Sequence, residues 1–152
     1  MSEFEKVSWR KIENGCRKIA EWARPQKFDY VYGVKRGGLI PGVILSHELN
    51  IPLCTSIHEF HKGKSSFKLI CVDDICQKGA TFNRLRESIP WGKFVSIYFS
   101  DESNFIPDFY VYLKKKSYLV FPWENHSREA MRRDKKNYYG KRKYSEMKKV
   151  EE

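Results

Sequence analysis

The fold is decided by one stretch of this sequence, Leu69-Ile70-Cys71-Val72-Asp73-Asp74-Ile75-Cys76-Gln77-Lys78-Gly79-Ala80-Thr81. It begins with the end of an apolar run over residues 67–72, broken only by Lys68, of the kind that is buried on both faces of a parallel sheet. Two adjacent aspartates follow, and a glycine then opens a segment that we expect to be helical to about residue 88. A buried strand, a polar turn and a helix in this order predict one βα unit of an α/β fold.

Strands and helices are predicted to alternate on both sides of this unit. Ser8 is a plausible N-cap for a first helix that Pro25 closes, and a second helix runs over about residues 39–49, with Asn50 as its C-cap. The predicted strands are 28–34, 51–57, 67–72, 93–99, 109–113 and 118–121, and residues 58–66 form a short polar connection. This alternation predicts an α/β fold with a mainly parallel sheet.

Length and composition describe a globular protein. The chain has 152 residues, of which 41% are hydrophobic, enough for one substantial core. Its apolar runs are shorter than the roughly 18 residues that cross a membrane, and its charged first residues do not resemble a secretory signal. We therefore expect a cytoplasmic protein without a membrane partner.

The cysteines are predicted to be reduced core residues. All four stand beside apolar residues and show no CxxC spacing: Cys16, Cys54, Cys71 and Cys76. Only His58 and His61 lie close together, without a cysteine pair, so structural zinc is not expected.

The chain is strongly basic, with a formal net charge of +10 at pH 7. Phosphate-rich partners such as nucleotides, pyrophosphate or nucleic acid fit this charge. Residues 126–152 contain ten Lys or Arg and five Asp or Glu, so they carry about half of the chain's net positive charge. We therefore expect a functional domain over residues 1–125 and a basic tail over residues 126–152, either a solvated helix or a poorly ordered arm.

A first motif, Gly33-Val34-Lys35-Arg36-Gly37-Gly38, stands between a predicted strand and a predicted helix. Its glycines allow close approach of the backbone to a ligand, and the N–H groups of the following helix point outward. Arg36 adds donors suited to a phosphate. Alone, the motif is also compatible with a tight corner.

The Asp73-Asp74 pair is a second motif. At the carboxyl end of a strand, two acceptors suit the vicinal hydroxyls of a ribose or a magnesium ion. The helix start at Gly79-Ala80-Thr81 offers N–H groups and a hydroxyl to a phosphate monoester. An aspartate pair can also simply cap the following turn, but the apolar strand before it and the Gly-x-Thr after it favour a ligand site.

Together the two motifs resemble the type I phosphoribosyltransferase family, over about residues 8–124. The resemblance is greatest to the bacterial and archaeal 6-oxopurine enzymes. Three features favour that branch: the Ser8-Trp9 helix start, the Lys35-Arg36-Gly37-Gly38-Leu39-Ile40-Pro41-Gly42 turn and the segment Phe121-Pro122-Trp123-Glu124. The resemblance implies a three-layer Rossmann-like fold with a small hood. It also implies transfer of a phosphoribosyl group from phosphoribosyl pyrophosphate to a xanthine-, guanine- or hypoxanthine-like base, with Mg²⁺, in a homodimer or tetramer.

The resemblance assigns a role to each matching position. Lys35, Arg36 and Gly37 would form the pyrophosphate loop, with a cis peptide between the first two. Asp73 and Asp74 would bind the ribose hydroxyls, directly or through magnesium. The 5′-phosphate would be held by Lys78, Gly79, Ala80 and Thr81. Tyr118 would stack on the base, with Leu119 as a backbone contact, although Tyr118 is equally compatible with a core position.

Three features depart from the family pattern. Gln77 stands where the family keeps an aspartate near the purine, its usual general base or acid, and an amide cannot take up a proton at useful pH. Near Ser100 the family has a lysine for the purine 6-oxo group. The connection at residues 59–66 is shorter than the family's mobile loop; its His and Lys residues are expected to be solvated.

Two further functions stay open from sequence. The departures at Gln77 and Ser100 are compatible with a regulatory or catalytically impaired module that binds nucleotide or phosphoribosyl pyrophosphate. The tail segment Tyr138-Tyr139-Gly140-Lys141-Arg142-Lys143-Tyr144 interleaves aromatic and basic residues, as single-stranded nucleic acid binders do.

Overall fold

The computed structural model describes residues 3–57 and 66–139. These residues form seven β-strands, four α-helices and a 3₁₀ turn over Arg24–Gln26. In chain order the strands and helices are β1 (Phe4–Lys6), α1 (Trp9–Ala23), β2 (Tyr30–Gly33), α2 (Leu39–Leu49), β3 (Leu53–Cys54), β4 (Leu69–Cys76), α3 (Ala80–Ser88), β5 (Lys93–Phe99), β6 (Phe109–Leu113), β7 (Tyr118–Val120) and α4 (Arg128–Tyr139).

The described residues form two compact units. One unit contains the described part of residues 9–115, and the other contains the described parts of residues 1–8 and 116–152. The division into a 1–125 domain and a 126–152 tail stays a prediction. Of the predicted tail, α4 is described and is helical, and residues 140–152, with most of the aromatic and basic motif, lie outside the described residues.

The larger unit contains a five-stranded sheet in the order β3-β2-β4-β5-β6, counted over its described residues. Every neighbouring pair in this sheet is parallel. The predicted parallel α/β class is thus confirmed. Because all five strands point the same way, the loops that follow β2, β4 and β5 emerge at one edge of the sheet.

The core of the larger unit follows the apolar patterns of the sequence. The apolar stripe of α1 is buried, as predicted: Ile12, Cys16, Ile19, Ala20 and Ala23. Around α3, the rings of Phe82, Phe94 and Phe105 pack with centroids 5.3–5.6 Å apart. This aromatic cluster anchors α3 and the loop before β6 to β5.

Several elements differ from the sequence prediction, most of all β4, β3 and the unpredicted β1. β4 runs over Leu69–Cys76 rather than 67–72, so both aspartates lie inside the strand and not in a turn after it. The reason is that β5 is long enough to continue the pairing, with Asp73 opposite Ser96 and Cys76 opposite Phe99. β3 has two residues instead of seven, and the three-residue β1 is too short to show a period in the sequence.

In the smaller unit, β1 and β7 form a parallel pair in which Phe4 lies opposite Tyr118. The α4 side chain of Lys135 forms an ion pair of 2.6 Å with Glu3 and lies over the Phe4 ring. None of the helices in the described ranges is long and apolar enough to pass through a membrane.

The four cysteines are free and buried, as predicted. Burial raises the pKa of the Cys16 thiol to about 12 and raises that of Cys71 further. Both thiols are therefore protonated core groups at neutral pH.

Candidate functional site

Two helices of the larger unit begin with a glycine at the carboxyl edge of the sheet. α2 starts after Gly38 and α3 after Gly79, and neither N-terminus is capped by a side chain of its N-cap residue. The N–H groups of a first helical turn carry the positive end of the helix dipole. The edge therefore presents two places suited to an anion, one beside β2 and one beside β4.

The loop between β2 and α2 lies directly against β4. Its Lys35–Arg36 peptide bond is cis, as the family resemblance implies, and both side chains are exposed. A Cβ atom added at Gly37 would overlap the Asp74 carboxylate, and one at Gly38 would lie 2.6 Å from the Val34 carbonyl oxygen. Only glycine lets the loop come this close to the carboxylate.

Asp73 and Asp74 are half-buried neighbours on β4. The Asp73 Oδ1 accepts from the Asp74 N–H at 2.8 Å, and the Asp74 Oδ1 accepts from the Ile75 N–H at 2.7 Å. Each carboxylate is thus held by a backbone donor, and its remaining acceptor sites can serve a ligand.

Burial and mutual repulsion make it unfavourable for both carboxyl groups of this pair to be ionised at the same time. Burial raises the pKa of Asp73 well above its ordinary value, and the neighbouring Asp74 charge raises it further. Burial also raises the pKa of Asp74, against the lowering effect of its hydrogen bonds with Asp73 and with the Ile75 N–H. Ligands that donate hydrogen bonds or carry positive charge would relieve this strain.

The loop Lys78-Gly79-Ala80-Thr81 connects β4 to α3. Gly79 has φ +88°, in the left-handed region, and a Cβ atom there would lie 2.6 Å from the Phe105 Cβ. The Asn104 N–H donates to the Lys78 carbonyl at 3.1 Å, so the loop after β5 holds this turn in place. Lys78 is exposed, Thr81 is half-buried, and both flank the α3 N-terminus.

Gln77 contacts a group of polar residues that follows β5. Its side chain is only 6% exposed, and its Nε2 lies 3.4 Å from Ser100 Oγ and 3.5 Å from Glu102 Oε2. The Glu102 N–H also donates to Ser100 Oγ, at 3.3 Å. The two positions that depart from the family pattern, 77 and 100, are therefore in contact. Glu102 was not among the predicted site residues; the polar residues directly after the predicted strand 93–99 are the signal that could have indicated it.

The arrangement can hold a polyhydroxylated phosphate ester. Acceptors on β4 lie beside two helix N-termini, and the cations Lys35, Arg36 and Lys78 stand on the two flanking loops. Among residues 3–57 and 66–139, no three His, Cys, Asp or Glu side chains cluster closely enough to hold a metal ion by themselves. The aspartate pair nevertheless fits Mg²⁺, which often takes one or two carboxylates and completes its shell with substrate oxygens and water.

Tyr118 and Leu119 belong to β7 in the smaller unit. Tyr118 is half-buried and meets the Phe4 ring edge-on at 6.2 Å, and Leu119 is buried. Their role as base contacts stays a prediction.

Comparison with known proteins finds similarity to xanthine-guanine phosphoribosyltransferases. The chain matches no family model. It is 29% identical to the xanthine-guanine phosphoribosyltransferase of Idiomarina loihiensis over 139 residues, which cover 79% of this chain and 86% of that protein. The enzyme of the same name from Vibrio parahaemolyticus is 26% identical, with coverage of 82% and 91%.

Solved structures agree with the sequence comparisons. The purine phosphoribosyltransferase of Pyrococcus horikoshii superposes with a TM-score of 0.73 at 27% identity, covering 83% of this chain and 97% of that one. The xanthine-guanine-hypoxanthine phosphoribosyltransferase of Helicobacter pylori gives a TM-score of 0.66 at 14% identity, over 88% and 97%. The second comparison supports the fold alone.

Proposed function

We propose that the chain, which is similar to xanthine-guanine phosphoribosyltransferases over 139 residues, is a type I phosphoribosyltransferase that transfers the phosphoribosyl group of phosphoribosyl pyrophosphate to a 6-oxopurine. The products are a nucleoside monophosphate and pyrophosphate. Xanthine, guanine and hypoxanthine are the candidate bases, as in the relatives' names.

The observation that carries this proposal is the position of Gly37 against the Asp74 carboxylate. It brings an anion-binding loop and a pair of hydroxyl acceptors together, as a ribose bearing pyrophosphate on C1 requires. The glycine start of α3 supplies the third place, for the 5′-phosphate. Phosphoribosyl pyrophosphate carries the pyrophosphate, the ribose hydroxyls and the 5′-phosphate that these three places would bind.

In this proposal the residues act mainly by positioning and by charge. Asp73 and Asp74 hold the ribose hydroxyls, and Lys35 and Arg36 stabilise the negative charge that develops on the leaving pyrophosphate. The residues at the α3 N-terminus fix the 5′-phosphate. Mg²⁺, when bound at the aspartate pair, would supply further positive charge toward the pyrophosphate.

A panel of free bases tests the proposal. The protein is incubated with phosphoribosyl pyrophosphate, Mg²⁺ and either xanthine, guanine, hypoxanthine or adenine, and pyrophosphate release is measured. We expect release with at least one 6-oxopurine. Absence of release with every base would contradict the proposed reaction.

A regulatory binding module is the second candidate, because Gln77 cannot take up a proton. The same protein is titrated calorimetrically with phosphoribosyl pyrophosphate and with a purine nucleoside monophosphate. Binding without turnover would support the module over the enzyme. Failure to bind either ligand would exclude both.

Other parts of the proposal rest on the family likeness or on charge. From the family likeness we propose that the protein is cytoplasmic and assembles as a homodimer or tetramer. Nucleic acid binding through residues 126–152 rests only on their charge, and salt-dependent binding of an oligonucleotide would test it.

Gly37→Ala should remove most activity while leaving the fold intact. The new methyl group would displace the Asp74 carboxylate, and misplacing a substrate-positioning group by about 1 Å costs roughly 100-fold in rate. We expect that loss in kcat/KM for phosphoribosyl pyrophosphate. Gly92→Ala is the matched control, since its nearest neighbour is the Ile89 carbonyl oxygen at 3.3 Å. Equal kcat/KM in the Gly37→Ala variant and the wild type would contradict the contact.

A further inference from the structure

Gln77 and the turn after β5 form a cluster with Ser100 and Glu102, and its hydrogen bonds fix which atom faces which. A carboxylate can only accept, so the amide nitrogen of Gln77 faces Glu102. Ser100 Oγ accepts from the same nitrogen and from the Glu102 N–H. The buried amide therefore donates to both Glu102 Oε2 and Ser100 Oγ, and the Ser100 hydroxyl also holds the Glu102 backbone by accepting from its N–H.

The order of the strands places this cluster opposite the pyrophosphate loop. β2 and β5 flank β4 on opposite sides. If pyrophosphate leaves toward the loop after β2 and ribose lies over β4, the incoming nitrogen must approach C1 from the other side, because the attacking and leaving groups are aligned in a displacement. That side is the end of β5, where Ser100 and Glu102 lie.

Resting on the proposed function, we propose that Glu102 is the proton acceptor of the reaction and that Gln77 is its positioning residue. As the ring nitrogen forms its bond to C1, the C1–O bond breaks and pyrophosphate leaves with the electron pair. The proton of the base N–H passes to the Glu102 carboxylate. Glu102 is exposed, so it can return that proton to water before the next turnover.

Charged residues stand in the turn that contains Glu102 and on three neighbouring segments. Asp101 lies beside it in the same turn, Lys78 follows Gln77 on the loop after β4, and Lys114 follows β6 and donates its N–H to the Phe99 carbonyl. The carboxylates Asp73 and Asp74 lie on β4 itself. Asp101 thus offers a carboxylate of the same charge one residue away, which makes it the matched control.

The test compares Glu102→Gln with Asp101→Asn, using hypoxanthine and the more acidic xanthine. General acid–base catalysis contributes about 10²- to 10⁴-fold. We expect Glu102→Gln to lower kcat with hypoxanthine at least about 100-fold, and to have a much smaller effect with xanthine, which loses its proton more readily. Asp101→Asn should leave both rates near those of the wild type.

Gln77→Asp in the Glu102→Gln background gives a second readout. It places a carboxylate at position 77 itself and should restore most of the hypoxanthine rate. An equal loss with both bases, or no difference between the Glu102 and Asp101 variants, would overturn the assignment of Glu102 while leaving the transferase intact. A wild-type protein that turns over no base would overturn both proposals.

Discussion

Asp73→Asn/Asp74→Asn should abolish nearly all transfer while making the protein more stable at neutral pH. Hydrogen bonds to a charged group are worth about 1.5–3 kcal/mol each. Losing the charge at two such acceptors therefore predicts a fall of about 10²- to 10⁴-fold in kcat/KM. The asparagine oxygens can still accept the Asp74 and Ile75 N–H bonds, so the strand should keep its shape.

The gain in stability follows from the raised pKa values. In the folded protein the pKa of Asp73 lies well above the 3.8 of an ordinary aspartate, mainly because of burial, and the pKa of Asp74 is also raised. The folded state therefore binds protons that the unfolded chain releases. This extra proton binding stabilises the folded state. The stabilisation is fully present below pH 3.8 and is lost as the pH rises through the raised pKa values. The wild type should lose stability over that range, and the double variant should lose less.

Urea unfolding at pH 4 and at pH 8 measures this difference. We expect the double variant to have the higher midpoint at pH 8, and the advantage to shrink at pH 4. Glu87→Gln, an exposed change on α3, controls for the removal of a negative charge. A double variant that is less stable than the wild type at pH 8 would contradict the inference that the charged aspartate pair destabilises the folded state.

Gly79→Ala should be the most destabilising single change at the site. The left-handed φ of +88° costs about 1–2 kcal/mol for a residue with a side chain. The new methyl group would also lie 2.6 Å from the Phe105 Cβ and 2.8 Å from the Phe105 backbone nitrogen. Together these effects predict a loss of about 2–4 kcal/mol in the free energy of unfolding.

Thermal unfolding checks this prediction. For a domain of this size, about 1 kcal/mol corresponds to roughly 2–4 °C, so a fall of about 5–15 °C is expected. Gly92→Ala, whose glycine lies outside the left-handed region and whose Cβ would have no contact below 3.3 Å, should change the midpoint much less. Equal midpoints for the two variants would mean that the turn before α3 does not depend on glycine.

The sequence predicted the framework of the site because its signals are local. The apolar run before Asp73, and the glycine and threonine after it, are adjacent in the chain, and they correctly predicted a strand followed by α3. The exact end of β4 was missed, because it depends on pairing with β5, more than twenty residues away. Strand length in a parallel sheet is set by the neighbour as much as by the strand itself.

The contact between Gln77 and Glu102 could not be predicted for a similar reason. These residues are 25 positions apart, and only the parallel pairing of β4 with β5 brings their ends together. From sequence, Gln77 was a missing carboxylate and Ser100 a missing lysine. In the structure, the two positions form one hydrogen-bonded group that also holds a carboxylate.

The central claim is transfer of a phosphoribosyl group to a purine at the aspartate pair. Its most direct test is chromatographic measurement of nucleoside monophosphate alongside released pyrophosphate, for the wild type and for Asp73→Asn/Asp74→Asn. We predict equal molar amounts of the two products from the wild type with a 6-oxopurine, and nearly none from the variant. Pyrophosphate without nucleotide, or equal nucleotide formation by both proteins, would contradict the account.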